Sequence, residues 1–221
     1  DISMKKKLQM IIDIIMFILF LILTGYHITG NIVHEILGVI TFVLFIVHHI
    51  INIKWYKALP KGKYTTRRII STITDFLLLI DMLCIMISAI MISSTVFSFL
   101  NIKTTMFARG LHLSSTAWGF IFIGIHLGLH LRVCFDKIKN KVKVTSFEYT
   151  FYLLIFLLLV YGVYAFVKNA LWKDMFLVTM FKFFDYGQNP ILFYLENLAI
   201  LFFVVMITYF MMKMVLKKKS K

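Results

Sequence analysis

Residues 31–52 read NIVHEILGVITFVLFIVHHIIN. The run is long and apolar enough to cross a hydrocarbon core of ~30 Å. It nevertheless carries His34 and, fourteen residues on, His48. Residues 111–131, LHLSSTAWGFIFIGIHLGLHL, repeat the arrangement with His112 and His126. Fourteen residues of helix rise ~21 Å and return to within ~40° of the starting face. Each run therefore places one imidazole near each side of a bilayer, both pointing roughly one way.

Composition sets the solvent. Of the 221 residues, 61% are hydrophobic and 15% charged, with a mean hydropathy of +0.89. A chain of this length and polarity is an integral membrane protein, with no room for a sizeable soluble domain. The net charge of +14 sits in short patches between apolar runs, the pattern that orients membrane proteins rather than one that binds nucleic acid. Cys84 and Cys134 lie in different segments, and no CxxCH attachment motif is present, so any haem is held non-covalently. Richness in Ile, Lys, Phe and Asn fits an AT-rich bacterial genome.

The fold class is all-α and polytopic, with six spans expected at about 8–24, 32–53, 69–93, 111–131, 147–167 and 191–212. The first is read as a retained span rather than a cleaved signal, with Asp13 a turn inside it, and Asn31 as N-cap of the second. Residues 168–189 are too broken for a span. Trp172, Met175, Phe176, Met180 and Phe183 have the spacing of an amphipathic interfacial helix. A loop packed on the bundle is the alternative. Residues 1–135 form a four-helix domain and 136–221 an added transmembrane hairpin with that interfacial segment. Nineteen of the 24 basic residues fall on one side, which puts both termini in the cytoplasm of a bacterial cell membrane. Spans two and four then run parallel. His34 meets His112 near the outer face and His48 meets His126 near the inner face.

Ionisable groups inside a span are expensive and mark function. Two neutral imidazoles suit a six-coordinate, low-spin haem iron. The expectation is two haem b groups, with His34, His48, His112 and His126 as axial ligands. His49 is fifteen from His34 and turned to another face. His130, eighteen from His112 and ~27 Å along the axis, falls beyond the depth of His48. His27 lies in the outer loop as a propionate partner, a substrate-access residue or a bystander. Gly38, Gly119, Gly124 and Gly128 either admit a flat cofactor or pack helices. Arg109 is the outer candidate for propionates, and Arg67, Arg68 and Arg132 are the inner ones, with topology-setting charge as their other reading. Asp81 is either a proton relay or an interhelical hydrogen-bonding group.

His34-Glu35-Ile36-Leu37-Gly38, the His48-His49-x-x-Asn52 run and His126-x-Gly128-Leu129-His130 together resemble a bacterial cytochrome-b-like membrane family of unassigned function. The resemblance covers roughly residues 8–133. It implies a four-helix domain with two b haems serving membrane electron transfer. The P-E-W-Y quinol-oxidation motif of bc-type cytochromes is absent, which argues against that class. Any flavin is expected from another protein. The expected partners are the lipid bilayer, menaquinone and a flavoprotein or other redox subunit, with the chain as a candidate membrane subunit of an oxidoreductase. The rival is a small transporter or complex scaffold whose histidines bind a metal ion or pack.

Overall fold

A computed structural model of the chain describes the backbone of residues 2–141 and 147–217, with side chains over 4–131 and 152–215. Every regular element among them is helical: α1 (Ile2–Leu23), α2 (Tyr26–Ile51), α3 (Ile53–Ala58), α4 (Thr66–Ile92), α5 (Met106–Lys141), α6 (Phe147–Lys168), α7 (Leu171–Met175) and α8 (Pro190–Lys217), with a single 3-10 turn at Ser98–Leu100. Three described helices are long and apolar enough to cross a membrane: Tyr26–Ile51, Thr66–Ile92 and Pro190–Val215. Tyr152–Lys168 is a shorter apolar one. Arg132 and Cys134 lie outside the described side chains.

The helices associate as pairs. α1 packs along α2 and α4 along α5, while α2 touches α4 only slightly. A seam therefore runs between the α1–α2 pair and the α4–α5 pair. On the far side of α5, α8 packs between α5 and α6, and α7 lies over α5. The buried cluster of Ala117, Phe120, Ala165, Leu171, Met175, Ile200 and Leu201 sits at that junction. The added hairpin is thus built onto the core rather than appended to it.

Small residues set these approaches. A Cβ on Gly124 would meet Val204 Cγ1 at 2.7 Å, and one on Gly128 would meet Thr208 Cβ at 2.7 Å and the Val205 carbonyl oxygen at 2.8 Å. On α6, a Cβ on Gly162 would lie 2.5 Å from the Ala199 carbonyl oxygen. Gly119 gives way to Asp81, whose Oδ2 would lie 2.5 Å from an added Cβ. These three α5 glycines serve helix packing. Gly38 differs, with nothing within 4 Å of the same construction.

Two local expectations change. α2 starts at Tyr26 and is broken at Gly30, whose φ of 75° and ψ of 170° are outside the helical region. Asn31 follows that break, but its amide donates to Glu35 Oε1, Ser94 Oγ and Thr95 Oγ1 instead of capping the helix as an acceptor. The amphipathic helix over 168–189 is replaced by one turn, α7, and irregular chain. Ala170 and Leu177 take left-handed backbone, with φ of 51° and 50°, and so bracket and end the turn. Side-chain bonds hold the segment in place: Ser114 Oγ and Trp118 Nε1 both donate to the Met175 carbonyl, and Lys182 Nζ bonds buried Asp174 at 2.7 Å.

Candidate functional site

The seam opens into a cavity of about 830 Å³ near the Tyr26 end of α2. That volume is within the range of cofactor and ligand sites. Its walls include His34, Gly38 and Thr41 from α2, Met82 and Ile85 from α4, and Arg109, His112 and Phe120 from α5. α8 contributes Phe193 and Asn197, and the chain after α7 contributes Phe183 and Phe184. Four of the six residues expected at cofactor sites, His34, Gly38, His112 and Arg109, therefore share one space.

Across it, the His34 and His112 ring centroids are 6.4 Å apart, with the rings inclined at 78°. Both rings line the cavity, so they are the residues that would hold a flat cofactor or metal there. His112 Nδ1 lies 3.3 Å from the Ile85 carbonyl oxygen and 3.2 Å from Ser88 Oγ. The Ser88 hydroxyl itself donates to the carbonyls of Cys84 and Ile85. Those contacts hold a proton on Nδ1 and leave Nε2 available. His34 Nδ1 is buried without a partner, and Tyr26 meets the His34 ring edge-on at 5.2 Å. At the mouth, Lys168 is engaged by Glu196 and Lys182 by Asp174. Arg109 has no side-chain partner among the described residues and stays exposed.

Glu35, next to His34, organises this end. Its carboxylate accepts from Ser93 Oγ at 2.6 Å and from the backbone N–H of Ser94, Thr95 and Val96 at 3.0, 3.1 and 2.7 Å. It thereby ties α2 to the chain leaving α4. In the sequence Glu35 stands out only as a member of the His34–Gly38 motif. The Ser93-Ser94-Thr95 run was the available signal for a loop rich in small donors.

At the other end of the helices, His48 and His126 each bind a carboxylate. His48 Nδ1 is 2.7 Å from Asp13 Oδ1, which joins α2 to α1. His126 Nδ1 is 2.8 Å from Asp75 Oδ1, which joins α5 to α4. Either bond leaves Nε2 for a ligand. Among the described residues no close ring contact joins His48 to His126; their ring neighbours are His49 and His130. His49 Nδ1 lies 2.6 Å from the Tyr56 hydroxyl, and its Nε2 is buried without a partner. Burial, with the Asp75 carboxylate adding to it, holds the Tyr56 phenol above its ordinary range.

Of the remaining candidates, Arg68 and Asp81 part company with the site, whereas His27 also lines the cavity. Arg68 donates to the carbonyls of Ala58, Leu59 and Lys61 and lies over the Tyr64 ring, so it organises the α3–α4 connection. Asp81 Oδ2 is buried against Gly119 without a partner. His27 stacks on Phe184 at 4.9 Å and meets Phe193 edge-on at 4.8 Å. Compared with known proteins, the chain matches no family model, no curated protein and no solved structure.

Proposed function

We propose that the chain is a six-span bacterial membrane protein that passes electrons through two non-covalent b haems. In this reading His34 and His112 hold the outer haem, and His48 and His126 the inner one. α1, α5 and α6 join the three long apolar helices as spans. Both termini are cytoplasmic, on the charge asymmetry of the sequence.

The observation that carries the reading is the outer pair: two imidazoles from different helix pairs, 6.4 Å apart, on the wall of one cofactor-sized cavity. A haem held there supplies a one-electron carrier. The chain supplies the rest. Ser88 and the Ile85 carbonyl fix the His112 tautomer, and Asp13 and Asp75 do the same for His48 and His126. Arg109 offers counter-charge to propionates at the cavity mouth. Fourteen residues between ligands put the two sites about 20 Å apart along the helix axes, one toward each side of the bilayer core. Menaquinol or a flavoprotein partner is the proposed source or sink of electrons.

The test is spectroscopic. Purified protein should show b-type bands in a reduced-minus-oxidised spectrum and titrate in two one-electron steps. His34→Ala and His112→Ala should remove one and the same component, and His48→Ala and His126→Ala the other. A colourless protein refutes the reading. Loss of the same component in His34→Ala and His126→Ala refutes the pairing.

A further inference from the structure

We propose that Asp75, His126 and His130 form a binding site for a divalent transition-metal ion of the Zn²⁺ class. It lies at the end of the α4–α5 pair remote from the large cavity. His126 and His130 stand one turn apart on α5, with ring centroids 4.4 Å apart. Asp75 reaches them from α4, and one donor atom from each of the three lies within 4.8 Å of the others. α4 and α5 pack along their length, so the donors are held by a rigid element pair.

The chemistry favours this class of ion. Two imidazoles and one carboxylate make a borderline donor set, and three protein ligands leave a fourth position for water. Bonds of about 2.0–2.1 Å place tetrahedral donors about 3.3 Å apart, so side-chain rotation of about 1 Å closes the trio. Ser71 Oγ is 3.4 Å from Asp75 Oδ2, an outer hold on the ligating carboxylate. The Asp75 side chain is 14% exposed, and a carboxylate within a span is costly without balancing charge. A dication supplies that charge, and exposed His130 provides the way in.

These donors are set by α4 and α5 alone, so the site stands whether or not iron binds at His34 and His112. An ion ligated through His126 Nδ1 displaces the proton that Asp75 otherwise holds there, so at His126 the ion and an inner haem are alternatives.

Tag-free protein in detergent, stripped with a chelator, is titrated with Zn²⁺ by calorimetry and by thermal shift. The expected result is one ion per chain and a rise in melting temperature. Asp75→Asn and His130→Ala should each weaken binding roughly tenfold or more, while His130→Cys, which restores a donor, should recover most of it. His49→Ala, outside the trio, should bind as the unsubstituted protein does. Absence of saturable binding overturns the site, leaving the Asp75–His126 pair held by a proton. Undiminished binding in His130→Ala or Asp75→Asn overturns it as well. The haem spectrum is read separately, so failure of the electron-transfer reading is distinguishable from failure of the metal site.

Discussion

Replacing Glu35 by Ala should unfasten the Tyr26 end of the seam while leaving the helices folded. The carboxylate gathers six donors: Ser93 Oγ, Ser94 Oγ, three successive backbone N–H groups from Ser94 to Val96, and Asn31 Nδ2. Ser94 and Thr95 are exposed, so water replaces their bonds. Ser93 and Val96 are half-buried and hold the two shortest bonds, 2.6 and 2.7 Å. Hydrogen bonds to a charged group contribute about 1.5–3 kcal/mol each. With partial exposure discounted, losing these two costs about 2–4 kcal/mol of local stability. That corresponds to roughly 30-fold to several-hundredfold more frequent opening of the 93–97 segment. Hydrogen exchange followed by mass spectrometry reads it directly. Amides of residues 94–96 should lose protection by at least that lower factor, and amides of α8 should not change. Glu35→Gln keeps one acceptor and should fall between. On the haem reading the outer component should be lost first on dilution or heating, because the segment ties the helix bearing His34 to the pair bearing His112. Wild-type exchange at 94–96 in Glu35→Ala would falsify the clamp, and loss of protection spread evenly through α8 would mean global destabilisation instead.

Gly128→Val should destabilise the protein by about 1–3 kcal/mol through overpacking. The added Cβ meets the Val205 carbonyl oxygen, which cannot swing aside; a lowered thermal midpoint checks it. Gly38→Ala meets nothing and should be neutral or up to about 1 kcal/mol stabilising, so a large fall in midpoint would contradict the open cavity wall. His49→Ala should retain both b-type spectral components, since its Nδ1 is committed to Tyr56; loss of one, with full retention in His48→Ala, would reassign the ligand. Cysteines placed at Tyr64 and Lys103 test topology: an impermeant thiol reagent on intact cells should label position 103 and spare position 64.

Fourteen-residue spacing depends only on helix pitch, so it could place His34 and His48 toward one side of α2; that His34 and His112 share one cavity depends on lateral order as well. Partners that depend on which helices lie side by side were not legible. Asp13 and His48 are 35 residues apart, and Asp75 and His126 are 51 apart. Hydropathy places each group at a depth but is silent about lateral order. Glycine shows the same limit. Gly38 and Gly128 both interrupt apolar helices, yet one faces open space and the other another helix's carbonyl. The broken segment after α6 follows the second of its two readings, a loop packed on the bundle, and departs from the helical one for a different reason. Its apolar spacing is helical, but Ala170 and Leu177 adopt left-handed backbone that their residue types do not announce. Their conformation is imposed by tertiary bonds, with the Met175 carbonyl taken by Ser114 and Trp118 and Asp174 taken by Lys182. In an apolar solvent the hydrophobic effect does not select helix neighbours, so close packing of small residues and a few polar bonds must do so. Here those polar bonds fall mainly at the two ends of the seam. One end is tied by Glu35 and opens into a cavity, and at the other end carboxylates occupy Nδ1 of both His48 and His126. The same histidine spacing therefore meets two chemically different surroundings, and the two ends should differ in what they bind and how tightly.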